Sequence, residues 1–119
     1  MIPRLIAISG SLKGTTFALT QQETSIGRDF SNTISLNDPS VSRRHCLISK
    51  NGNGFYITDL ESYNGTFVNG LPVADQALTH GDHVALGDIR FIFLTHDDPV
   101  TTAISLQDDD LVSRSTIRL

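Results

Sequence analysis

Residues 46–60, "CLISKNGNGFYITDL", decide the fold. An apolar run, Cys46–Ile48, gives way to a break rich in Asn and Gly, and a second apolar run begins at Phe55. The break, "NGNG" at Asn51–Gly54, supplies the positive φ values that a tight hairpin demands. Beyond it Phe55 and Ile57 alternate with Tyr56 and Thr58. A period of two sends one set of side chains into a core and the other toward water. The stretch therefore reads as two antiparallel strands joined by a short turn.

The same grammar extends in both directions. "RLIAI", "TFALT", "TSIG" and "TISL" precede the hairpin, and "TFV", "HVAL" and "RFIFLT" follow it. Each is rich in β-branched or aromatic residues and bounded by Gly, Asn, Asp, Pro or Ser. Apolar spacing of the helical kind never persists beyond about two turns. Asn69-Gly70 separates "TFV" from "LPV", and Pro72, which lacks an N–H, places its strand at a sheet edge. Many short strands with closely spaced turns predict an all-β domain, a sandwich or a barrel.

A length of 119 residues suits one domain with a sufficient core. Hydrophobic residues make up 39% and charged ones 18%, a globular rather than a disordered balance. Nine basic against thirteen acidic side chains, a net charge of −4, argue against a nucleic-acid partner. The single cysteine, Cys46, excludes an internal disulfide and fits a reducing compartment. Apolar runs of four residues, such as Leu5–Ile8, neither span a bilayer nor serve as a secretory leader. The chain reads as soluble and cytoplasmic.

Composition shifts after His96. Residues 97–119 hold five acids and two arginines, whereas residues 1–96 hold eight acids and seven bases. The expected organisation is a folded domain over 1–96 and an acidic tail or linker over 97–119, leading on to a further domain.

Three polar clusters lie between strands: "IGRD" at Ile26–Asp29, "SVSRRH" at Ser40–His45 and "SYNGT" at Ser62–Thr66. Loops on a rigid β scaffold are favoured places for binding residues. Brought together, they would offer Arg28, Ser42, Arg43 and Asn64 to one surface. A guanidinium fork, a hydroxyl, a second cation and a carboxamide suit an oxyanion such as phosphate.

"GR" at 27–28, "SRRH" at 42–45, "NGT" at 64–66, "NG" at 69–70 and "HGDHVALG" at 80–87 together resemble the forkhead-associated (FHA) domain, a phosphothreonine-recognition module. The resemblance covers about residues 4–95. It implies an eleven-stranded sandwich of two twisted, mainly antiparallel sheets that binds phosphothreonine peptides through loops at one end. By position, Arg28 and Ser42 would contact the phosphate, Arg43 would add a phosphate or peptide contact, and Asn64 would bond the peptide backbone. His45 would tether the binding loops. Gly27, Gly65 and Gly70 would fill turns that only glycine adopts without strain, with Asn69 as a turn residue supporting the loops. The chain departs from the family at Tyr63, where Ser or Thr is frequent; its backbone N–H remains available to a ligand.

Other chemistry is weaker. His45-Cys46 with Asn64 suggests a cysteine hydrolase, yet adjacent residues entering a strand point to opposite faces. Arg44 would point away from Arg43 for the same reason. His80, Asp82 and His83 crowd one short turn, a poor arrangement for a metal. No cofactor is expected and no enzymatic activity. The expected function is phosphothreonine-dependent capture of partner proteins; the alternative is an FHA-like scaffold that binds without phosphate, for which Tyr63 is the best support. The tail's own Thr101, Thr102 and Thr116, once phosphorylated, are further candidate ligands of the Arg28 site.

Overall fold

A computed structural model describes residues 2–97. Among the described residues eleven strands form two sheets packed face to face. The first sheet has six: β1 (Arg4–Ala7), β2 (Thr16–Ala18), β7 (Thr66–Val68), β8 (Leu71–Pro72), β10 (His83–Leu86) and β11 (Ile89–Leu94), in the order β2-β1-β11-β10-β7-β8. The second has five: β3 (Glu23–Gly27), β4 (Ile34–Ser35), β5 (Cys46–Asn51), β6 (Gly54–Asp59) and β9 (Asp75–Leu78), in the order β4-β3-β5-β6-β9. All pairs are antiparallel except β3 with β4. Among the described residues no helix is long and apolar enough to cross a membrane.

The central hairpin forms as its sequence dictates. Asn51 pairs with Gly54, leaving Gly52 and Asn53 as a two-residue turn. Gly52 has φ +64°, while Asn53 is not left-handed, the type II′ pattern that matches the twist of the flanking strands. Phe55 and Ile57 enter the core and Tyr56 faces out. Asn69 and Gly70, at φ +52° and +83°, form the type I′ counterpart between β7 and β8. Strand β8, with Pro72, is an edge as expected.

Between the sheets lie Leu5, Ile26, Leu36, Ile48, Ile57, Val84, Leu86, Phe91 and Phe93, each almost without solvent contact. Phe55 packs against Phe93 with ring centroids 5.6 Å apart. Each such side chain contributes about 1.5–3 kcal/mol on burial, which makes the sandwich a rigid support for its loops.

The strand directions sort the loops into two poles. Strands β3, β6 and β10 end, and β5, β7 and β11 begin, at one pole, where the β10–β11 turn meets the long β4–β5 loop: the Asp88 N–H donates to Ser40 Oγ at 2.9 Å. At the opposite pole β1 starts beside the end of β11, Arg4 facing Leu94. Asp97 forms an ion pair with Arg4 there.

Candidate functional site

Strand β3 delivers the first polar cluster. Its last residue, Gly27, is not the left-handed turn residue that the sequence suggests. Glycine is needed there because a Cβ would strike the Arg43 carbonyl oxygen and come within 2.8 Å of Asn32 Nδ2. This close approach lets the β3–β4 loop be sewn to the β4–β5 loop. The Arg28 N–H donates to the Ser42 carbonyl (3.0 Å), and the Asp29 N–H to that of Arg43 (3.2 Å). Asn32, buried, donates Nδ2 to the carbonyls of both Asp29 and Arg43, each at 2.8 Å.

His45 joins the second loop to the third. Its ring is fully buried. Nδ1 accepts the Ser42 N–H at 3.1 Å, so the proton sits on Nε2, which lies 2.8 Å from the Gly65 carbonyl and donates to it. Its backbone is held as well: its N–H donates to Ile26 and its carbonyl accepts from Leu60. One residue thus connects β3 and the β4–β5 and β6–β7 loops.

The β6–β7 loop carries its own brace, centred on Asp59 at the end of β6. Its carboxylate accepts Ser62 Oγ (2.6 Å), Thr66 Oγ1 (2.7 Å) and the Ser62 N–H (3.2 Å). Burial alone would raise this carboxyl, but the Ser62 and Thr66 bonds outweigh it and hold Asp59 below the usual carboxylate value. Ser62 Oγ in turn accepts the Gly65 N–H at 3.0 Å. Gly65, at φ +90°, closes the loop in a conformation that costs glycine little. Asp38 similarly binds the Ser40 hydroxyl and N–H, at 2.6 and 2.8 Å, and those bonds lower its carboxyl. None of Asn32, Asp38, Ser40, Asp59 and Thr66 stands out in the sequence as a support. The signal available was the spacing Asp59–Ser62, since an Asp commonly binds the backbone and hydroxyls just after it.

On this frame the expected ligand-facing residues share one pole. Arg28 is half-buried and uses Nη1 on the Val41 carbonyl at 3.2 Å, which leaves most of its five donors free. Ser42 Oγ accepts the Tyr63 N–H at 2.9 Å, so the hydroxyl proton is left to donate elsewhere. The Tyr63 N–H is thus engaged within the protein, while its side chain is 93% exposed. Asn64 donates Nδ2 to the Ser40 carbonyl at 2.8 Å, which orients the carboxamide and leaves Oδ1 as its acceptor. Arg28 and exposed Arg43 line a cleft of about 520 Å³ together with Asp29, Phe30 and Asn37.

Two expected supports are elsewhere. Asn69 and Gly70 form the β7–β8 turn, and β7 runs away from the binding loops, so both lie at the opposite pole. There Asn69 receives the His83 N–H (2.9 Å) and donates to Asp82 (3.0 Å). Arg44 is exposed. Cys46 is fully buried in the core, and burial pushes its thiol far above the ordinary value, the reverse of an activated nucleophile. His80 accepts the Thr95 N–H and stacks on His96; among the described residues no group of three His, Cys, Asp or Glu is placed to hold a metal.

Comparison with known proteins agrees with this arrangement. The sequence model of the FHA domain matches residues 24–87. The glycogen accumulation regulator GarA of Mycolicibacterium smegmatis is 42% identical over 91 residues, which cover 76% of this chain and 58% of that protein. The oxoglutarate dehydrogenase inhibitor of Corynebacterium jeikeium is 38% identical over 90 residues, covering 76% of this chain and 62% of that protein. The chain thus matches less than two thirds of the length of these relatives. An FHA domain solved in a study of phosphothreonine-dependent FHA interactions superposes with a TM-score of 0.73 at 35% identity, over 82% of this chain and 99% of that one. With its motif residues gathered at one pole of an eleven-stranded sandwich, the chain belongs to the FHA domain family.

Proposed function

We propose that the chain is a non-enzymatic phosphothreonine-binding module that places a kinase-marked partner at the pole formed by the β3–β4, β4–β5 and β6–β7 loops. The observation that carries this reading is the convergence of Arg28, Ser42 and Arg43 beside Asn64, with their loops locked by His45. The Arg28 and Arg43 guanidinium groups and the Ser42 hydroxyl take the phosphate dianion. Asn64 Oδ1 accepts a backbone N–H of the peptide and sets its register. Charge-assisted bonds of about 1.5–3 kcal/mol each are enough for micromolar capture.

Several features agree with this reading. The relatives named above are regulators and an inhibitor, and the buried Cys46 offers no nucleophile. A module that reads kinase output works in the cytoplasm, where its one thiol stays reduced. We take the module as residues 1–96 and the acidic stretch 97–119 as a tail or linker.

Fluorescence anisotropy with degenerate peptide pools centred on phosphothreonine, phosphoserine and threonine tests the proposal. Binding to the phosphothreonine pool alone, lost in Arg28→Ala, is the expected result. Equal binding to all pools would favour the phosphate-independent scaffold instead.

A further inference from the structure

Alternation along β1 and β11 divides their apolar residues between two faces. Leu5, Ala7, Phe91 and Phe93 point into the core between the sheets. Ile6, Ile92 and Leu94 point the other way, onto the outer face of the six-stranded sheet, where they form a separate cluster with Ile8 packed against it. The outer face of an antiparallel sheet ordinarily meets water and carries polar residues. Here Ile6, Ile92 and Leu94 are 4%, 3% and 1% exposed, and the Arg4 side chain, opposite Leu94, is only 14% exposed. The residues that flank the cluster in register, Thr16 and Ala18 on β2 and His83 on β10, are all exposed. A dry apolar patch with a wet rim, on the outside of a sheet, is a surface built to be covered.

The chain itself supplies a cover. Asp97, paired with Arg4, stands at the margin of this patch, and beyond it residues 99–106 read "PVTTAISL". In an extended segment Val100, Thr102, Ile104 and Leu106 share one side, and Thr101, Ala103 and Ser105 the other. That is the pattern of a strand with one apolar side, and neither the core nor the phosphate site accounts for it. The chain from Asp97 to Leu106 extends at most about 30 Å, more than twice the roughly 13 Å between Arg4 and Ile8 along β1. Charge agrees: the face carries Arg4 and Arg90, while residues 97–119 hold five acids against two arginines. We propose that residues 99–106 dock in extended form on the outer face of β1 and β11, with Ile104 and Leu106 set against Ile6, Ile8 and Ile92. The segment straps the strand pair that joins the two ends of the domain. Its docking is independent of phosphate recognition, since the patch lies on a sheet face and not on the binding loops.

Paramagnetic broadening in the full chain tests the proposal. Cys46 is fully buried, so a nitroxide on Ser105→Cys marks the segment alone, and Ser105 lies on the side of the strand away from the patch. Amide signals of Ile6, Ile8 and Ile92 should lose most of their intensity, while those of Ser49, Tyr56 and Ala77, on the opposite sheet, keep theirs. The broadening should be the same at every protein concentration. Adding Ile104→Asp and Leu106→Asp should restore the lost signals, and the unlabelled double variant should melt about 4–8 °C below wild type. Both substitutions lie outside the sandwich, so its fold is not at risk. Broadening that passes from labelled to unlabelled copies in a mixed sample, and is weak within one chain, would assign the patch to a second copy and overturn the proposal. Equal broadening of both sheets, none at all, or broadening that survives the double substitution would overturn it as well.

Discussion

Replacing His45 with alanine removes the buried side chain that ties the β4–β5 loop to the β6–β7 loop and leaves only the Ser42–Tyr63 and Asn64–Ser40 side-chain bonds across them. The variant loses an acceptor for the Ser42 N–H and a donor to the Gly65 carbonyl. Each lost bond costs about 1–1.5 kcal/mol, and more where the abandoned group stays dry. The ring is fully buried, so its absence also leaves a hole worth about 1–2 kcal/mol. Together these give about 3–5 kcal/mol, a large part of the roughly 5–15 kcal/mol that keeps a domain folded. The melting temperature should fall by about 15–30 °C. Two partial replacements separate the halves of the interaction. Asparagine can place an oxygen near the position of Nδ1 and keep the Ser42 bond. Glutamine can place an NH2 near Nε2 and keep the Gly65 bond. Each should recover about 1–2 kcal/mol of stability. Calorimetry gives the stability, and peptide titration at a temperature where every variant is folded gives the affinity. Phosphothreonine affinity should fall at least tenfold in His45→Ala and recover most in His45→Asn, which restores the hold on Ser42. An unchanged melting temperature in His45→Ala would refute the tether. Lost stability with unchanged affinity would show that the tether does not position the site.

Asp59 should make the fold acid-sensitive. Its carboxyl is held below the usual value in the folded state, so its contribution is fully present above about pH 4 and is lost as pH falls through the folded value. The stability gap between wild type and Asp59→Asn, about 1–3 kcal/mol at neutral pH, should therefore shrink below pH 4 in denaturant titrations. Gly27→Ala should destabilise by at least about 2 kcal/mol through collision with the Arg43 carbonyl, whereas Gly70→Ala, open on all sides but at φ +83°, should cost only about 1 kcal/mol; equal losses by thermal melting would refute the distinction. Thr101, Thr102 and Thr116 lie outside the described residues, but chain length limits what they can reach. Asp97 is paired with Arg4 at the pole opposite Arg28, and four or five residues extend at most about 18 Å, about the length of β11 alone. Phosphorylated Thr101 or Thr102 should therefore bind a second copy, giving concentration-dependent association by sedimentation, whereas phosphorylated Thr116 should compete with added peptide at any protein concentration.

What the sequence discloses is uneven for physical reasons. The β5–β6 hairpin is legible because its turn needs particular φ values and its strands alternate. Strand β9, "DQAL", is not: three of its four side chains are exposed, and it is a strand only because β6 offers its backbone an edge. Arg28, Ser42 and Asn64 stand out in the sequence because they form an ordered motif, and the structure brings their loops to one pole. Gly27 is read for the wrong reason, since the carbonyl that excludes a Cβ belongs to Arg43, distant along the chain. Asn69-Gly70 is read correctly as a turn, but its pole follows from strand direction, which a motif does not encode. Asn32 and Asp59 are hidden because a single buried carboxamide or half-buried carboxylate beside a polar loop resembles its solvated neighbours until the loops close.

The pairing of β1 with β11 also sets how the domain would bear load. The two strands are antiparallel and the outer ends of both lie at the same pole, Arg4 against Leu94. Tension applied between the two chain ends would peel this pair apart, breaking its hydrogen bonds one after another. Tension between a ligand held at the Arg28 pole and either chain end would instead run along the strands. Several hydrogen bonds would then be sheared together, and the sandwich would resist far more force in that direction than in the first. A module with this wiring yields easily when its flanking segments are drawn apart, yet holds a captured partner firmly against a pull.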